Sequence, residues 1–309
     1  MSAENRLFGT EMEYGIQVRE LSRKKGPSDR QAHDNEIAWL LREHLPDDIA
    51  NVGQFLSNGA RLYKDIGQAA EYSTPEDTTV LGTVANEIAG ERILGSMLRA
   101  AQEDGRLAKI EANKRVVPYF GQADISWGYH ENYLVSRRHT TISKASLGWL
   151  GMHLATRSVF CGAGHIMARS HSIFAQPGFA VAQKAPLLTL AFDRSTTNNH
   201  KPLVNLRDES HANENVYARV HVTSGDAHMS PWAARMQLGT TALVLALNRF
   251  TGVTIPRLGP LKASLLDMNK QTALDTTLQK PLDTEDGSLL TPLDVQRELY
   301  QTVAKTIPA

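Results

Sequence analysis

Leu7-Phe8-Gly9-Thr10-Glu11-Met12-Glu13-Tyr14-Gly15-Ile16-Gln17-Val18 alternates apolar and polar residues in the period of a half-buried strand. Successive side chains of a strand point to opposite faces, so Glu11 and Glu13 stand side by side on one face. Carboxylates so close repel. A sheet tolerates them best when a divalent cation or a positive substrate group lies between them. An exposed face with two solvated glutamates is the alternative, and this stretch alone leaves both open.

The same alternation recurs in Ala60–Lys64, Trp127–Val135, Lys201–Leu206 and Arg219–Val222. Helical spacing marks Asp34–Leu45 and a longer run, Thr78–Gln102, that stops near Gly105. Ser230-Pro231 and Thr291-Pro292 each pair an N-cap with a first-turn proline, predicting a helix through Leu247 and another through Val303. No regular strand–helix alternation and no glycine-rich phosphate loop is present. The expectation is an α+β fold with a largely antiparallel sheet, in one large domain spanning all 309 residues.

Composition narrows the function. Hydrophobic residues make up 41% and charged residues 21%, and no apolar run approaches the ~20 residues of a membrane span. The N-terminus lacks the apolar core of a secretory signal, so a cytoplasmic protein with no membrane partner is expected. Cys161 is the single cysteine, which excludes an intramolecular disulfide and a thiolate zinc site; a metal would be held by oxygen or imidazole. With 33 basic and 33 acidic residues there is no global field for nucleic acid, and the basic stretch from Arg19 to Arg30 reads as a solvated loop.

Further segments put polar groups in register. Arg61, Tyr63 and Asp65 share one strand face, offering a planar fork for phosphate, a phenol and a base or metal ligand; a structural Arg61–Asp65 ion pair is the bland alternative. Glu71, Thr74 and Glu76 follow, the last a possible cap for the long helix. In Tyr129-His130-Glu131-Asn132-Tyr133 either Glu131 or the His130–Asn132 pair makes an unusually polar face. Arg219, His221 and Thr223 align in another strand, with Arg207 nearby. Arg207, Arg219 and His221 are therefore candidates for binding nucleotide phosphates, with Glu11, Glu13 and Glu131 as candidate magnesium ligands.

Gly9–Gly15, Asn58–Tyr63 with Asp65, Glu71–Glu76, His130–Leu134, Asn205–His211 and Gly239–Leu245 together resemble, in order, the signatures of the Pup ligases and the related deamidases and depupylases of Pup. The resemblance covers about residues 6–250 and leaves 251–309 as a helical tail with no assigned role. It implies a glutamine-synthetase-like fold using ATP and magnesium. By position it implies magnesium ligands at Glu11, Tyr63 and Glu71, nucleotide contacts at Arg61 and Thr74, and a catalytic aspartate at Asp65. The implied reaction passes the γ-phosphate to a glutamate carboxylate of a Pup-like protein and lets an amine attack the acyl phosphate.

Glu11–Gly15 and Gly239–Leu243 look more like the deamidase form, whereas the short connection from Gly15 to Asn58 leaves little room for the insertion typical of deamidases and Leu62–Gly67 is similar to the ligase form, so ligation is favoured with deamidation as the alternative. Lys64 and Ala69-Ala70 depart from the family pattern, and the chain is expected to lack the family's small C-terminal domain, with its nucleotide-packing tryptophan. Those departures leave room for a minimal relative acting on another small glutamate-bearing substrate. From other classes, a non-catalytic tail-binding protein would need Arg61 but not Asp65, and a structural partner in a larger complex would bind no nucleotide.

Overall fold

The computed structural model describes residues 6–20, 29–45, 55–65, 69–117, 126–137, 144–167, 178–194, 200–247, 250, 264–282 and 289–307. The chain forms two compact units: Phe8–Val116 with Trp127–Tyr129, and His130–Ala309 with Met1–Leu7 and Val117–Ser126.

The first unit is organised by β1 (Phe8–Arg19), the strand anticipated from the opening alternation. Met12, Tyr14, Ile16 and Val18 are buried while Glu11, Glu13, Gln17 and Arg19 are only partly covered, so one face of β1 is core and the other carries its polar side chains. β1 pairs antiparallel with β4 (Ala69–Ser73), β5 (Lys109–Asn113) and the short β2 (Asp29–Gln31), and β3 (Arg61–Lys64) pairs antiparallel with β4. Two helices, α1 (Asp34–His44) and α2 (Val80–Glu103), complete the unit. Gly90 brings α2 against Tyr72; a Cβ there would overlap the Tyr72 ring. The cap of α2 is Thr79, whose hydroxyl accepts the Gly82 N–H at 2.9 Å, with Asp77 bracing Thr79, so Glu76 is not the cap.

The second unit carries β6 (Tyr129–Ser136), β9 (Leu190–Asp193), β10 (Pro202–Asn205) and β11 (Tyr217–Val222) in the order β6-β11-β10-β9, antiparallel except for β10 with β9. A two-stranded ribbon joins β7 (His165–Met167) to β8 (Gly178–Ala180). The helices are α3 (Lys144–Thr156), α4 (Ser158–Cys161), α5 (Pro231–Ala246), α6 (Leu265–Leu274) and α7 (Pro292–Thr306). Ala155, Met268, Leu282, Val295 and Leu299 form one buried cluster, so α6 and α7, from the tail that the sequence left without a role, are core elements packed on α3. Each unit thus mixes helices with a largely antiparallel sheet, as the sequence implied.

Candidate active site

The partly covered face of β1 continues across β4 and β3 as three rows fixed by register. Glu13 opposes Glu71, which opposes Tyr63. One step away, Glu11 opposes Ser73, which opposes Arg61. On the other side Gly15 opposes Ala69, whose carbonyl accepts the Asp65 N–H at 3.0 Å. Rows two residues apart are ~7 Å apart along the strands. Beyond the Arg61 row, Thr74 closes the β1–β4 ladder: its N–H donates to the Thr10 carbonyl at 2.9 Å and its hydroxyl oxygen accepts the Thr10 N–H at 3.0 Å. Six of the predicted residues, Glu11, Arg61, Tyr63, Asp65, Glu71 and Thr74, therefore occupy one surface together with Glu13.

Carboxylate oxygens of Glu13, Asp65 and Glu71 lie within 4.8 Å of one another. Glu71 is 5% exposed, and burial, followed by the charges of Glu11 and Glu13, pushes its carboxyl up to about 9 although the Tyr63 hydroxyl donates to it. Burial and Glu71 likewise hold the Tyr63 phenol above its ordinary value. Three converging carboxyl groups and no cationic side chain among them make an all-oxygen donor set that suits a hard divalent cation, which would displace the Glu71 proton.

Arg61 is oriented by stacking: its guanidinium carbon lies 4.7 Å from the Tyr63 ring centre and 5.6 Å from that of Phe55. Phe55 also bridges Arg61 through the backbone and is 67% exposed. Nothing in the sequence periodicity singled it out. Trp127 was likewise unassigned, being read as the first residue of a strand. Here β6 begins only at Tyr129, and the Trp127 indole lies against Gly15, where a Cβ would overlap Cε2, Cζ2 and Cη2. Gly128 accepts the Glu13 N–H at 2.9 Å, which holds this segment beside β1.

The remaining predicted residues belong to the second unit. Glu131 is corrected: it is fully buried, bound by both arms of Arg157 (2.5 and 2.9 Å) and by the Tyr133 hydroxyl at 2.6 Å, so its oxygens are committed to an internal ion pair rather than to a metal. The partly covered polar face of β6 is the other one. There His130 meets His221 edge-on with ring centres 5.0 Å apart, and Asn132 accepts the Arg219 Nε–H at 2.7 Å. Arg207 pairs with Glu209 at 2.5 Å at the surface. Asp208, in left-handed conformation (φ 59°), accepts from Arg137 at 2.6 Å and from the Arg219 N–H at 3.1 Å. Asp226 is a staple: its carboxylate accepts the N–H groups of Ala163, Gln183 and Lys184.

Comparison with known proteins places this chain in a family. The family described as Pup-ligase protein matches residues 6–309. A Pup–protein ligase of Acidimicrobium ferrooxidans is 32% identical over 96% of this chain and 62% of its own length. One from Bifidobacterium adolescentis is 32% identical over 92% of this chain and 56% of its own. The chain thus spans about three fifths of these relatives. Among solved structures, the ligase PafA in complex with Pup is 29% identical, with a TM-score of 0.78 over 97% of this chain and 58% of that one. PafA in complex with ADP is 27% identical, with a TM-score of 0.68 over 92% of this chain and 60% of that one. This chain belongs to the Pup-ligase protein family.

Proposed function

We propose that this protein is an ATP- and magnesium-dependent carboxylate–amine ligase that joins a glutamate side-chain carboxyl of a Pup-like protein to an amine, forming an isopeptide bond. The observation that supports this best is the in-register row Glu13–Glu71–Tyr63 with Asp65 converging on it. On this reading Glu11, Glu13, Tyr63 and Glu71 hold magnesium, and Arg61 and Thr74 contact the nucleotide. Arg207, Arg219 and His221 remain candidates for the phosphates. The γ-phosphoryl group moves to the carboxylate, ADP leaves, the amine attacks the acyl carbon, and phosphate departs. Asp65 takes the proton that the attacking ammonium must lose. The named relatives are ligases, which favours ligation over deamidation for this chain.

No helix among the described residues is long and apolar enough to cross a membrane, and the reading puts the reaction in the cytoplasm. The expectation of a single catalytic domain over the whole chain is carried forward as part of the proposal. The test is mass spectrometry of a lysine-bearing acceptor incubated with the protein, ATP, magnesium and a Pup-like protein ending in glutamate or in glutamine. A mass gain of the partner less one water, from the glutamate form and only with ATP, is the expected product. Ammonia released from the glutamine form, with no conjugate from the glutamate form, would overturn ligation in favour of deamidation.

A further inference from the structure

We infer that the Trp127 indole N–H is a substrate-side donor of this site, made to hydrogen-bond an oxygen of the carboxyl group that is to be joined. The inference rests on the ligase reading above. Trp127 is 4% exposed, and its Nε1 has no hydrogen-bond partner among the described residues. Buried polar groups without a partner are few in native proteins, and an indole nitrogen can only donate, so the missing group is an acceptor.

The placement of the ring says which acceptor. Gly15 is on the same face of β1 as Glu11 and Glu13, and the ring edge that rests on it includes Cε2, the carbon bonded to Nε1. The indole therefore covers the Gly15 end of this face, in the row that continues through Ala69 to Asp65. Arg61 and Thr74 lie at the opposite end, about 14 Å away along the strands. A nucleotide phosphate gripped by Arg61 belongs to that end. The oxygen that reaches Trp127 belongs to the partner that meets Asp65. Any side chain at position 15 would evict the indole, so the glycine is required by the ring.

The experiment compares wild type with Trp127→Phe, which keeps the ring stack and deletes the donor, using Mg-ADP and a Pup peptide ending in glutamate, each titrated by calorimetry. The expected result is peptide affinity lowered about tenfold with Mg-ADP affinity within about twofold. Unchanged peptide affinity, or an equal loss for Mg-ADP, overturns the inference. Wild type that binds neither probe overturns the ligase reading itself, and the inference with it. Should the variant not fold, wild type with 15N-labelled indoles gives the same decision. A solvent-protected indole N–H resonance that moves downfield with the peptide and not with Mg-ADP supports the assignment, and the reverse pattern overturns it.

Discussion

Glu13 and Glu71 oppose each other directly across the β1–β4 ladder, and the buried Glu71 carboxyl is raised to about 9, so it carries a proton at neutral pH. The sheet accommodates two facing glutamates by neutralising one of them.

The sign of the resulting pH dependence follows. The folded value lies above the ordinary one near 4.5, so the stabilisation from this group is complete below about 4.5 and is lost as pH rises through about 9. Thermal melts of the metal-free protein should show stability declining across that window through this group. Glu71→Gln should flatten the slope, and magnesium should reverse it while releasing protons. Calorimetry in buffers of different ionisation enthalpy detects that release; a slope unchanged in Glu71→Gln would contradict the assignment.

Phe55 and Tyr63 flank the Arg61 guanidinium, and stacking of this kind is worth about 0.5–2 kcal/mol. Phe55→Ala should therefore weaken Mg-ADP binding by about threefold to tenfold, while Phe55→Tyr retains it. Equilibrium titration of the two variants checks this, and equal loss in both would locate the effect elsewhere.

Arg157 and Glu131 form a buried pair that extends through Thr241 to His153 and Gln296, joining α3, α5 and α7. Arg157→Met leaves the Glu131 charge without its partner and should cost about 3–5 kcal/mol in urea unfolding. Adding Glu131→Leu should recover part of that loss. Within the same network His153 is lowered to about 3, first by burial and then by Arg157. Its contribution is complete above the ordinary histidine value near 6.5 and is lost progressively as pH falls from there to about 3, so this unit should lose stability in mild acid, and urea unfolding between pH 7 and pH 4 should show the decline.

Much of the site was legible because period-two alternation converts directly into a shared face: Glu11 with Glu13 on β1, and Arg61 with Tyr63 on β3, are neighbours by geometry alone. β4 was not legible as a strand because Ala69, Ala70, Glu71 and Tyr72 are all buried, which erases the alternation that announces a strand. Glu131 shows the limit of reading one strand at a time. Its face was ambiguous until Arg157, 26 positions away in sequence, met it in the core. Trp127 and Phe55 escaped for the same reason, since their roles arise from contacts with Gly15 and Arg61 that no local pattern encodes.

On the proposed reading, Asp65 acts on the substrate beside a metal-bound nucleotide. That role is tested most directly by ADP formation with magnesium, a Pup-like protein ending in glutamate and a lysine acceptor, for wild type and Asp65→Asn. The variant should form conjugate at least about a hundredfold more slowly while still binding Mg-ATP, with Glu11, Glu13, Tyr63 and Glu71 left to hold the metal. Conjugation by Asp65→Asn at the wild-type rate would contradict that role.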